Sequence, residues 1–199
     1  MFYEPAGGHG LPHNPFKAIV APRPIGWIST RGTDGTPNLA PYSFFNAVSD
    51  TPPVVMFSSN GRKDSVEIAE ATGEFVCNFV SEEMFRAMSQ TSFAYEREVS
   101  EFDAAGLAEA PCRIVRAPRV AGAPAALECL VTEIRRVRGL KGETGNWMVF
   151  GEVVGVHIDD AMLTDGRFDL AKARPVTRLG YLDYGMAPEI VALPRPARG

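Results

Sequence analysis

The sequence predicts a mainly β protein: an antiparallel barrel, closed or split, with a few flanking helices. Three observations carry that expectation. Short apolar runs suited to strands recur at 25–31, 54–59, 74–80, 125–138 and 146–158. Turn chemistry separates several of them, most plainly Asp34-Gly35 and Asn60-Gly61. Helical spacing is confined to stretches after Asp64 and after Ser81, so helices do not alternate with strands as a parallel sheet would require.

Taken in order, residues 4–15 are rich in Gly and Pro and read as an irregular arm. Segments 18–21 and 25–31 are strand candidates, with Ile25, Trp27 and Ser29 on one face of the second and Gly26, Ile28 and Thr30 on the other. Pro37 and Pro41 lack a ladder donor and restrict the returning strand to an edge or a bulge. Residues 54–59 form a short strand apolar on both faces that stops at two serines. Asp64 then opens a helix, with Glu67 completing a capping box and Gly73 as its stop. A strand at 74–80 precedes a helix whose Met84, Phe85 and Met88 pack on the sheet.

Periodicity fades from 90 to 124, through Glu96-Arg97-Glu98, a long excursion of the kind that serves as a lid or partner surface. The strands 125–138 and 146–158 are joined by a linker at 139–145. In the second, Trp147, Val149, Gly151, Val153, Gly155 and His157 share a face, and its glycines admit a neighbouring backbone or a flat ligand. A last edge strand is expected over 176–182, then an extended tail with Pro194 and Pro196. The divisions are an arm at 1–16, a barrel domain at 17–187 and a proline-rich tail at 188–199.

The totals exclude several classes. With 45% apolar and 22% charged residues in 199, the chain is neither disordered nor fibrous and suits one domain. A net charge of -4 argues against a nucleic-acid surface. No apolar run of about 20 residues could span a bilayer, and the first 15 residues lack the pattern of a secretory signal, so a cytoplasmic protein is expected. Cys77, Cys112 and Cys129 are too few and too far apart for a disulfide framework or a CxxC metal site. His9 and His13 are four apart, but Gly10 and Pro12 oppose the helix that would pair them. No metal is expected.

The residues offer no nucleophile elbow, no paired carboxylates and no Walker loop. Chemistry would have to come from a cofactor. Arg62 and Lys63, beside Ser58 and Ser59, suit a single phosphate group at a helix start, although Asp64 would repel it on the axis and a solvated basic turn is the competing reading. Trp27, Tyr42, Phe44 and Phe45 could meet the apolar end of a flavin ring. Ser29, Thr30, Ser43 and Asn46 could meet its amide-like end.

The stretches PRPIGWIST, NLAPYSFFNAVS, PPVVMFSS, GRKDS and TGEFVCNFV, extended more weakly by GEVVGVHID and VTRLGYLDY, resemble the flavin reductase-like, FMN-binding split-barrel family. The resemblance implies a homodimeric split barrel holding FMN noncovalently near the subunit interface. It places Ser29 and Thr30 by the ring or ribityl chain and Ala40, Pro41, Tyr42, Ser43 and Phe44 along the isoalloxazine. Asn46 lies nearby, and Ser58, Ser59, Arg62 and Lys63 surround the phosphate. His157 and Arg178 fall in the weaker segments, as candidates near the flavin face or the dinucleotide. The implied activity is hydride transfer from NAD(P)H to flavin N5, with reduced flavin passed to a partner monooxygenase or another acceptor. An FMN-carrying electron-transfer protein reduced by another protein is the alternative, and a barrel without flavin is the third.

Overall fold

The computed structural model describes residues 1–96 and 99–194; Arg97, Glu98 and the last five residues, with Pro196, lie outside the described residues. Seven strands build the main sheet: β1 (Gly26–Arg31), β2 (Pro37–Tyr42), β3 (Phe45–Asp50), β4 (Pro53–Asn60), β5 (Glu74–Asn78), β6 (Ala125–Gly139) and β7 (Gly142–Ile158). All neighbours are antiparallel, in the order β2-β1-β5-β6-β7-β4-β3. The two edges are therefore consecutive in the chain. Only Ser43 and Phe44 join them, and the Ser58 N–H donates to the Phe44 carbonyl at 2.8 Å across the junction. This is the seam of a split barrel.

Alternation sorts the side chains as period two requires. Ile28, Tyr42, Val55, Phe57, Phe75, Cys77, Cys129 and Val149 fill one core, closed by Val66 and Ala69 of α1 (Asp64–Thr72). Ile25, Trp27 and Leu39 belong to a second core on the opposite face, with Val80, Met88, Phe102 and Val120. β1 is thus covered on both sides. Pro37 and Pro41 do fall on an edge strand.

The excursion supplies that cover. α2 (Phe85–Gln90) leads into it, it contains α3 (Glu101–Ala104), and Trp27 Nε1 donates to Thr91 Oγ1 at 2.9 Å. Its strap at 112–120 is held by buried polar groups of the sheet. Glu128 accepts from the amides of Arg113, Ile114 and Val115, Glu74 from those of Arg116 and Ala117, and Asn78 Oδ1 from that of Val120. Apart from Arg119 and Val120, which pair with Ala110 and Glu109, the strap has no ladder partners among the described residues and needs such acceptors once buried.

Several expectations are corrected. Residues 16–19 form a helical turn instead of a strand, started by the Asn14 side chain accepting from the Phe16 amide at 2.9 Å. β4 is buried on one face only, at Val55, Phe57 and Ser59. Lys63, not Asp64, caps α1, so the capping box does not form, while Gly73 ends the helix at φ 73° as its lack of a Cβ allows. The linker at 139–145 is mostly strand, because Glu143 pairs with Arg136 and the Thr144 hydroxyl bonds the Val137 carbonyl, extending the ladder to a two-residue turn. The last strand stops at Arg178 and turns back to pair with 184–186, since Gly180 packs so tightly on Ala18 that an added Cβ would lie 2.3 Å away. In β7, Gly151 makes room for the Phe75 ring and Gly155 for the Glu128 carboxyl, not for a ligand. Among the described residues no helix is long and apolar enough to cross a membrane.

Candidate functional site

A cavity of about 430 Å³ opens between β2, the start of α1 and residues 91–95. Ala40, Pro41, Tyr42, Arg62 and Lys63 line it, bringing five of the anticipated residues together. Asn38, Ser65, Thr91, Ser92, Tyr95 and Glu101 join them.

The chemistry of this wall follows from strand geometry. The Leu39 amide donates to Glu101 Oε2 at 3.0 Å, so it points away from β1. In an antiparallel strand every second residue turns both its N–H and its C=O outward, and here those residues are Pro37, Leu39 and Pro41. The prolines cost the ladder nothing. The exposed edge therefore offers carbonyl acceptors, and Glu101 takes its one amide. Burial, reinforced by Asp64, raises the Glu101 carboxyl above the usual range against the opposing pull of that amide.

At the other end Lys63 stands exposed at the cap of α1, while Arg62 pairs with Glu70 and stacks over Trp147, 4.9 Å from its ring centroid. Asn38 Nδ2 donates both to Thr30 Oγ1 at 3.1 Å and to Ser65 Oγ at 3.0 Å. Thr30 thus reaches the cavity through Asn38. The Ser59 hydroxyl is fully buried beside the Tyr42 phenol, whose pKa burial raises against the opposing pull of the Ser65 and Ser59 hydroxyls.

Other anticipated residues lie elsewhere. Ser29 is buried and donates to the Pro118 carbonyl. Ser58 accepts from Asn146 Nδ2 at 3.3 Å, and exposed Asn46 bonds its neighbour's amide on β3. Ser43 lines a second cavity, of about 470 Å³, with Lys17, Arg23 and Arg178, while the Phe44 ring lies 5.9 Å from the Lys17 ammonium and 5.8 Å from the Arg23 guanidinium. His157 bonds Glu128 at 2.6 Å, away from both cavities. Cys112 comes within 4.8 Å of that pair, but three amides and His157 already engage the carboxylate. Burial pushes the Cys77 thiol up to about 12 and Cys112 to about 11, so both stay protonated.

The residues at the first cavity fit a phosphorylated flavin by their donors and acceptors: outward carbonyls for a ring N–H, and a free ammonium with hydroxyls for a phosphate. Asn38 and Ser65 stood inside quoted motifs but carried no separate signal. Thr91, Ser92, Tyr95 and Glu101 come from the stretch without periodicity.

Comparison with known proteins identifies the family. A model of the flavin reductase like domain matches residues 20–182. A relative from Aquifex aeolicus is 40% identical over 168 residues, which is 81% of this chain and 83% of its own. The solved structure of nitrilotriacetate monooxygenase component B from Bacillus cereus is similar with a TM-score of 0.85 at 25% identity, covering 94% of this chain and 100% of that one. That of 2-nitrobenzoate 2-nitroreductase from Pseudomonas fluorescens gives 0.80 at 28%, covering 91% and 88%. The match spans most of the chain, and the chain belongs to the flavin reductase like domain family.

Proposed function

We propose that the chain is an NAD(P)H-dependent FMN reductase. The observation that carries this reading is a single cavity in which the acceptor edge of β2 runs up to Lys63 and Ser65 at the start of α1. Bound FMN supplies a group that accepts hydride at N5 and passes electrons on. The chain supplies the rest.

Lys63, Arg62 and Ser65 hold the phosphate. The Leu39 and Pro41 carbonyls orient the ring's N–H edge, while Ala40 and Tyr42 flank the ring. The segment 91–95 limits water. No histidine or thiol lines the cavity, so this chain's contribution is orientation and electrostatics. The family match and the monooxygenase component among the similar structures support a role in supplying reduced flavin to a partner oxygenase. We further infer a cytoplasmic homodimer in which residues 17–187 form the catalytic domain, with an arm at 1–16 and a tail at 188–199.

Anaerobic mixing of protein, FMN and NADH or NADPH tests the activity. Bleaching of the flavin's blue absorbance is expected with at least one nicotinamide. Flavin that stays oxidised with both, yet bleaches with a reduced protein donor, would make the chain an electron carrier instead.

A further inference from the structure

The second cavity differs electrostatically from the first. Lys17, Arg23 and Arg178 line it, and among the described residues no aspartate or glutamate does. Elsewhere in the protein, arginines find carboxylates: Arg31 with Glu109, Arg62 with Glu70, Arg136 with Glu143 and Arg174 with Glu82. Here the guanidinium groups are held by backbone carbonyls and ring faces, Arg178 lying 4.3 Å from the Tyr184 centroid. Arg23 donates to those of Lys17, Val20 and Leu179, the last at 2.7 Å, and Arg178 to those of Tyr181 at 2.5 Å and Asp183 at 3.4 Å. Carbonyl partners fix a cation without neutralising it.

The cost of that choice is visible. Arg23 is buried with its Nε unpartnered, and burial followed by repulsion from Arg178 lowers its pKa. The Lys17 ammonium, on an exposed turn, rests over the Phe44 ring. Two further rings at the cavity, Phe16 and Tyr181, are 56% and 51% exposed, and Tyr181 is held at φ 53°. Apolar faces beside uncompensated cations suit a planar heterocycle that carries an anion. Ser43, the residue that follows β2, lines this cavity, and Pro41 and Tyr42 just before it line the first, so the cavity lies next along the chain to the ring end of the proposed flavin site.

We propose that this cavity seats the adenosine end of the dinucleotide and that Lys17, with Arg178, reads its 2′-phosphate, so that the chain prefers NADPH to NADH. The proposal rests on the reductase reading. A 2′-phosphate is a dianion that NADH lacks, whereas the pyrophosphate is common to both and cannot discriminate. Lys17 is the discriminating residue because its ammonium makes no ion pair or hydrogen bond among the described residues and its stem can swing from the Phe44 face to a phosphate.

Calorimetric titration of the purified protein with 2′,5′-ADP and with 5′-AMP tests this without hydride transfer. The 2′-phosphorylated ligand binds at least about tenfold more tightly, as one charge-assisted contact provides. Lys17→Ala brings the two affinities together, and Lys17→Arg restores the gap. Equal affinities in the unaltered protein, or a gap that survives Lys17→Ala, overturns the proposal. So does benzoate or inorganic phosphate binding as tightly as 2′,5′-ADP, which would make the cavity a general anion trap. A phosphate gap governed by Lys17 in a protein whose flavin is never bleached by NADPH keeps the nucleotide site and removes the reductase reading alone.

Discussion

The Ser59 hydroxyl is fully buried at the end of β4, beside the Tyr42 phenol. It stands one strand-end away from Lys63, whose ammonium is exposed and free to meet an anion at the head of α1. The partial positive charge of a helix start adds to that ammonium, and Asp64 subtracts from it. Lys63→Ala should therefore weaken FMN binding by about 1.5–3 kcal/mol and riboflavin binding far less, because only FMN carries the phosphate. Parallel fluorescence titrations check this; equal losses would put the phosphate elsewhere. The motif letters indicated these side chains but not which of them were free. Arg62 reads as Lys63's equal until Glu70, eight residues on, is seen to take its charge. Ser29 and Thr30 read as a pair, yet alternation sends one to the Pro118 carbonyl and the other to Asn38.

The strap at 112–120 illustrates why an element without periodicity can still be well fixed. Its order comes from Glu74, Asn78 and Glu128, residues that lie in apolar runs and face its amides from β5 and β6. An acid in the middle of a buried strand is the trace such an anchor leaves in a sequence, and Glu128 within Leu127 to Leu130 is one. The amides it would serve cannot be read from spacing, since they lie 13 to 15 residues away on a segment with no pattern. Burial alone would raise the Glu128 carboxyl, but three backbone amides and His157 outweigh it and hold the group at about 2, below its ordinary 4.5. A depressed carboxylate stabilises the fold fully above its unfolded value, and that contribution is lost as pH falls toward the folded one. Melting temperature should therefore drop between pH 4.5 and about 2 in the unaltered protein. In Glu128→Gln, already less stable at neutral pH, the drop over that window should be smaller. Identical acid slopes by circular dichroism would remove Glu128 from the account.

Alternation and two prolines were enough to indicate an antiparallel barrel with 37–42 at an edge, because both features act within one strand. The strand order was not legible, since it depends on pairings between β5 and β6, about fifty residues apart, that leave no local trace. That order puts β3 at the opposite edge and lays an apolar row across the outward side of β3, β4 and β7. Register aligns Asn46, Met56 and Phe150 in this row; half-exposed Val48 lies further along β3, beside Val54 of β4. One acid, Asp50, closes the edge strand, which has neither lysine nor proline, and its bulge near Val48 gives only partial protection against pairing. The homodimer proposed above would seat a second copy on this face, where a two-fold contact sets each row against its twin and brings Asn46 of each chain to the join. Light scattering should then give a particle of twice 21.6 kDa. Met56→Glu should shift it toward the monomer by placing like charges face to face, and should weaken FMN binding in step if the join completes the flavin site. A monomer at every concentration that binds FMN at full strength would show that one chain suffices.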